Sequence, residues 1–205
     1  MKIFFKILPV FIVFFLISCS KPGDLTIQRA MRAYQNQNYE EALSLFNEAA
    51  GEESNYSQEL ICNMIASIYL QQEDLENAVV YQKKSCELRP EYRNLVSLGM
   101  TYHLLQRDTE AEEAYRKAVE LNPQKGEAYA SLGSMYLGQK KYAEAVENLK
   151  KASELEPKIA VIHANLAIAY AASGENEKSE SEFNIAEELK CENLDEFKER
   201  AKEIH

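Results

Sequence analysis

Apolar positions in this chain follow two rules. Between Ile7 and Ile17 they run unbroken for eleven residues, behind a short basic start at Lys2 and Lys6. Further along they recur three and four places apart, as in Leu95, Leu98 and Tyr102, the spacing of one buried helix face. A longer period overlies the short one. Pro90, Pro123 and Pro157 are 33 and 34 residues apart, and Tyr69, Tyr102, Tyr136 and Tyr170 are spaced 33, 34 and 34. Ala78, Ala111, Ala145 and Ser179 keep the same three intervals. Three independent positions in one register predict a repeat array, and 7 Gly and 5 Pro in 205 residues leave few breaks in helix.

The pattern has a direct physical reading. Small residues let two helices of a hairpin approach closely, large ones fill the gaps between them, and each proline ends the second helix before the next hairpin begins. A hairpin of this kind leaves an apolar face bare and must stack on a neighbour. The last one needs a cover. Leu194, Phe197, Ala201 and Ile204, spaced 3, 4 and 3, place one apolar stripe on a closing helix predicted over 194–205.

The register resembles the tetratricopeptide repeat (TPR). That pattern has a large residue at position 4, Leu-Gly or Leu-Ala at 7 and 8, Tyr at 11, Ala at 20, an aromatic at 24, Ala at 27 and Pro at 32. Residues 92–125 supply Leu95, Leu98, Gly99, Tyr102, Ala111, Tyr115, Ala118 and Pro123. Residues 126–159 supply Tyr129, Leu132, Gly133, Tyr136, Ala145, Leu149, Ala152 and Pro157. The flanking units depart more. In 59–91, Ile65, Ala66, Tyr69, Ala78 and Pro90 match, with Cys62 at position 4, Gln82 where an aromatic is usual and Ser85 for Ala. In 160–193, Leu166, Ala167, Tyr170, Phe183 and Ala186 match, with Ser179 for Ala and Cys191 for Pro. Upstream, Ala30, Ala42, Phe46 and Ala49 fit a first unit over 25–58 that lacks the Leu-Gly pair. The resemblance implies an all-α, right-handed superhelical solenoid of about five helix-turn-helix hairpins over 25–193, closed by a capping helix.

The amino-terminal run is too short for a helix crossing about 30 Å of hydrocarbon, which takes roughly 20 residues, and reads as the core of a signal peptide over 1–18. Leu16-Ile17-Ser18-Cys19 resembles the lipobox of bacterial lipoproteins. That resemblance implies cleavage before Cys19 and a covalent diacylglyceryl group on its thiol, with N-acylation of the new terminus; two or three chains anchor stably where one does not. Residues 19–24 would then be a lipidated tether whose five residues after Cys19 reach about 17 Å. Ser20, rather than an aspartate, follows the cysteine. By the enteric sorting rule this favours the outer membrane, facing the periplasm, over the inner one.

Charge narrows the partners. The formal net charge is −10, and loss of Lys2 and Lys6 with the signal takes it to −12. No basic stripe is present, which argues against nucleic acid. Glu175 to His205 holds eleven acids and five bases, so half of the mature excess sits at one end, as a solvated acidic face.

Catalytic chemistry is not visible. His103, His163 and His205 are scattered, and no phosphate-cradling glycine loop, zinc-binding His pair or nucleophile elbow occurs. No enzymatic activity, metal or cofactor is expected beyond the lipid. Cys62 and Cys86, at positions 4 and 28 of one hairpin, fall at the same end of it. They are either a disulfide, which an oxidising compartment permits, or small buried thiols, and Cys191 stays free.

Function is therefore expected from surfaces. In the resembled family, ligands lie along the concave groove lined by positions 2, 5, 9 and 12 of each first helix. Here those are Leu60, Asn63, Ser67 and Leu70; Arg93, Val96, Met100 and His103; Glu127, Ala130, Ser134 and Leu137; and Val161, Ala164, Ile168 and Ala171. The carboxylate clamp of the chaperone-binding members is absent, since only Asn63 and Arg93 suit it. A groove of small and apolar residues fits an extended or helical protein segment, or a part of the chain itself. Two readings follow. One is a lipid-anchored adaptor for a client protein in assembly of a cell-envelope complex (pilus, secretin or outer-membrane machinery). The other is a structural lipoprotein that forms homo-oligomers and has no dedicated client. Exposed Leu70, Met100 and Leu137 would favour the first.

Overall fold

The computed structural model describes residues 21–204, which form eleven helices and no strand. The signal segment, Cys19 and His205 lie outside the described residues. The chain divides into two compact units, one up to Ser57 and one from Gln58.

The first unit is one hairpin, α1 (Pro22–Gln35) and α2 (Tyr39–Ala50). Its helices meet through Ile27, Ala30, Ala42, Phe46 and Ala49, all essentially without exposure. Small residues thus stand in for the missing Leu-Gly pair. Helix α1 starts earlier than the sequence pattern predicts. Pro22 stands in its first turn, where its fixed φ and missing N–H cost nothing, so Pro22, Gly23 and Asp24 of the expected tether are helical. Asp24 ties this turn to the segment after α2. Its carboxylate accepts the Asn55 backbone N–H at 2.7 Å, the Ser54 hydroxyl at 2.8 Å, the Asn55 amide at 2.6 Å and the Lys21 backbone N–H at 3.1 Å. Those bonds, the Asn55 N–H foremost, lower its pKa from 3.8 to about 2 against the opposing effect of burial.

The second unit stacks four hairpins. They are α3 (Gln58–Gln71) with α4 (Leu75–Leu88), α5 (Tyr92–Leu104) with α6 (Asp108–Leu121), α7 (Gly126–Gly138) with α8 (Tyr142–Leu155), and α9 (Ala160–Ala172) with α10 (Asn176–Glu188). Helix α11 (Leu194–Glu203) follows. Helices α4, α6 and α8 end before Pro90, Pro123 and Pro157, as the steric conflict of proline with a preceding helical residue requires. Ala78, Ala111, Ala145, Ala118 and Ala152 are fully buried where two backbones approach. The approach is tightest at two glycines. A Cβ on Gly99 would lie 2.6 Å from Tyr115 Cε1, and one on Gly133 would lie 2.5 Å from Leu149 Cγ.

Every first helix stops in the same way. Glu73, Gln106, Lys140 and Gly174 have φ of 59°, 60°, 58° and 78°, and Gln37 of the first unit has 62°. The next residue turns its N–H back to the carbonyl five residues earlier, as in Arg107 to Tyr102 and Lys141 to Tyr136, both 2.9 Å. This is the Schellman arrangement, which satisfies carbonyls the helix end leaves open. Only the last hairpin places Gly at the left-handed position.

Helices α5, α7 and α9 each pack chiefly on their own hairpin partner and, between hairpins, on the second helix of the preceding hairpin. The closing helix, α11, lies on α9 and scarcely touches α10. Among the described residues no helix is long and apolar enough to cross a membrane.

Candidate interaction groove

The positions expected to line a groove divide into an open and a closed set. On α5, Met100 is 50% exposed and Arg93 is exposed, while Val96 is buried. On α3, Leu60, Asn63, Ser67 and Leu70 are half-buried; the Asn63 amide donates to Glu59 Oε1 at 2.9 Å and the Ser67 hydroxyl to the Asn63 carbonyl at 2.9 Å. On α7, Glu127 and Ser134 are exposed and Ala130 half-buried. Leu137, expected to be exposed, is buried: it joins the packed cluster that contains Met135, Tyr136 and Ala169. On α9 only Val161 is exposed, whereas Ala164, Ile168 and Ala171 are buried. An open groove over all four helices is thus corrected to an open stretch centred on α5.

The sequence positions missed one residue of that stretch. Leu104 is 59% exposed and lies four residues after Met100, so the two share a helix face. Its position, 13, falls one place beyond the family's set; the helical period from Met100 was the signal that could have found it.

Beside this pair, His103 Nδ1 lies 2.8 Å from Asp108 Oδ1, and the Gln139 amide donates to Asp108 Oδ2 at 3.0 Å. The bond with His103 lowers the Asp108 pKa, burial opposes it, and Gln139 lowers it further. The trio fixes the ends of α5 and α7 to the start of α6. His163 is buried on α9, with Nδ1 2.6 Å from Glu182 Oε2 and Nε2 3.1 Å from the Pro157 carbonyl, and so joins α9 to α10 and to the turn before it. Among the described residues no three His, Cys, Asp or Glu side chains come together as a metal site.

The departures of the second repeat converge. Gln82 and Ser85 replace an aromatic and an alanine, and both are buried. The Gln82 amide donates to Ser97 Oγ at 2.9 Å, and the Asn94 amide contacts Ser85 Oγ at 3.3 Å and Glu59 Oε1 at 3.4 Å. Polar contacts therefore join α3, α4 and α5 at these positions. Cys62, Cys86 and Cys191 are free thiols, all partly buried. Burial pushes the Cys86 pKa up to about 11 and raises those of Cys62 and Cys191.

A second surface depression, which the repeat pattern does not announce, lies between α4 and α6. This cleft of about 790 Å³ is floored by Leu95, Leu98 and Tyr102, residues that the pattern marks only as core. Four of its rim charges pair, Arg107 with Glu110 at 2.7 Å and Lys117 with Glu113 at 2.6 Å.

Comparison with known proteins agrees with this architecture. One tetratricopeptide repeat model matches residues 60–92 and 92–125, another 114–147, and a TPR repeat model 133–174. Among solved structures, a crystal structure of MamA is similar at 17% identity, covering 82% of this chain and 91% of that one with a TM-score of 0.73. MamA 41-end from Desulfovibrio magneticus RS-1 is similar at 22% identity, 83% and 96% coverage and a TM-score of 0.72. YrrB, described as a TPR protein with an unusual peptide-binding site, is similar at 21% identity, 87% and 90% coverage and a TM-score of 0.70. No curated protein sequence matches. The likenesses to solved structures establish the fold, and the family matches together run from residue 60 to 174, more than half of the chain, so the chain belongs to the tetratricopeptide repeat family.

Proposed function

We propose that this chain is a non-catalytic, membrane-anchored scaffold that holds a protein client in its concave groove during assembly of a cell-envelope complex. The observation that carries the client site is the exposed pair Met100 and Leu104, which leaves one apolar face of α5 bare. The repeat family's association with protein–protein interaction supports it, as does the peptide-binding site of the similar YrrB fold. Arg93 and His103 at the edges of the pair offer polar contacts to a bound segment.

The anchor rests on the sequence. The lipobox-like Leu16 to Cys19 and the basic, apolar stretch before it make Cys19 the attachment site, with the protein on the outer membrane facing the periplasm. Only Ser20 and Lys21 separate Cys19 from α1, which would hold the first hairpin against the lipid surface. Two variants test the reading separately. Cys19→Ser should abolish fatty-acid labelling and release the protein from membranes; unchanged labelling would remove the anchor. Met100→Glu with Leu104→Glu should abolish crosslinking to a specific envelope protein while leaving the helical content intact; an unchanged crosslinking pattern would remove the groove.

A further inference from the structure

Position 9 of the repeat fares differently along the second unit. Met100 on α5 is 50% exposed, whereas Ile168 on α9 is 1% exposed. Ile168 belongs to the same packed cluster as Ala201 of α11, and Phe197 and Ile204 lie against that cluster. Helix α11 packs on α9, and its Lys198 and Ala201 line one cleft with Ala171, a groove position of α9, so the chain's own last helix stands at the α9 end of the groove. The placement of that helix breaks the rule of the array. A next repeat would pack on α10, but α11 packs on α9 and leaves a cleft of about 430 Å³ between itself and α10, lined by Ser179, Phe183, Lys198 and Ala201 among others.

The side chains of α11 are mostly exposed. Ala201 is its one buried residue, and Leu194, Phe197 and Ile204 are half-buried. Among the described residues a single ion pair, half-buried Lys198 to exposed Glu187 at 3.1 Å, joins it to the rest of the fold. Ten residues are too few for a helix to persist in water without its contacts. An element held this way opens locally far more readily than the hairpins.

We infer that α11 is a resident stand-in for the client, and that the client's binding segment is an amphipathic helix with α11's apolar spacing and an aromatic anchor at the place of Phe197. It docks on α9 by displacing α11 and runs from there toward Met100. This rests on the groove reading above and specifies its partner. A site occupied by its own chain binds in proportion to the fraction that is open, so weakening α11 strengthens binding.

The test uses the full chain and, as probe, a fluorescent peptide of residues 192–205. Wild-type protein is compared with Phe197→Ala plus Ile204→Ala, which loosens α11 without removing it. The peptide is expected to bind the variant at least tenfold more tightly than the wild type; equal affinity, or binding to neither, overturns the proposal. Hydrogen exchange on the wild type covers the case of a variant that misfolds. Amides of α11 are expected to exchange at least tenfold faster than those of α9, and equal protection counts against the proposal. A dimer that disappears in the variant would also overturn it, because α11 would then serve a second copy. Failure here, with client crosslinking still lost in Met100→Glu plus Leu104→Glu, would leave the groove and remove the role of α11.

Discussion

The Tyr92 hydroxyl accepts the buried backbone N–H of Ala128 at 2.9 Å. Ala128 lies in the first turn of α7, whose N–H groups have no partner inside the helix. One repeat thus caps the first turn of the next. Tyr92→Phe keeps the ring and removes the acceptor, which strands a buried donor at a cost of about 1–3 kcal/mol. Urea unfolding of the variant should show a lower midpoint with an unchanged slope.

Helix approach at glycine gives a second prediction. Tyr115 is 3% exposed and its ring atoms fill the space above Gly99. Gly99→Ala should destabilise by about 1–3 kcal/mol from overpacking, despite alanine's better helix propensity. Gly138, where an added Cβ would meet nothing within 4 Å, is the control. Gly138→Ala should be neutral or stabilising by up to about 1 kcal/mol in the same unfolding experiment.

The left-handed turns give the opposite sign. Gln106 and Lys140 sit at φ of 60° and 58° where Gly174 serves the last hairpin. Gln106→Gly and Lys140→Gly should each stabilise by roughly 0.5–1 kcal/mol, the relief of the left-handed cost less the entropy of glycine. Thermal unfolding of the single and double variants checks both the sign and the additivity.

Asp24 makes the first unit sensitive to acid. Its pKa is lowered from 3.8 to about 2, so the folded state binds the proton less readily than the unfolded one. Its contribution is complete above the unfolded value and is lost as pH falls through about 2. Hydrogen exchange of residues 21–57 should accelerate over that window. Asp24→Asn should show fast exchange already at neutral pH and little further change on acidification.

How much of this was legible in the sequence depends on what each residue answers to. The hairpins were legible because Gly99, Ala111 and Ala118 must be small wherever backbones meet, and the prolines must follow a helix end. The turns were not, since Glu73, Gln106 and Lys140 carry no glycine signal and are held left-handed by the Schellman bonds around them. Gln82 and Ser85 read as lapses from the pattern, yet they build a polar network with Asn94 and Ser97; Gln82 Oε1 is left buried and without a partner. Leu137 and Ile168 looked alike as groove residues. Both are covered by packing from other parts of the chain, and on α9 that packing includes a helix whose apolar stripe announced a face but not its partner. The same limit explains Leu104, whose helical spacing from Met100 marks a shared face but not its exposure.

The central claim is that the bare face of α5 is where a client sits, and site-specific photocrosslinking in native membranes tests it most directly. A photoreactive side chain would be placed at Met100, at Leu104 and, as a control, at Val80, which is 45% exposed on α4. The account predicts one discrete heteromeric adduct at Met100 and Leu104 and none at Val80. Adducts at all three positions alike, at Val80 alone, or only with a second copy of this chain would contradict it.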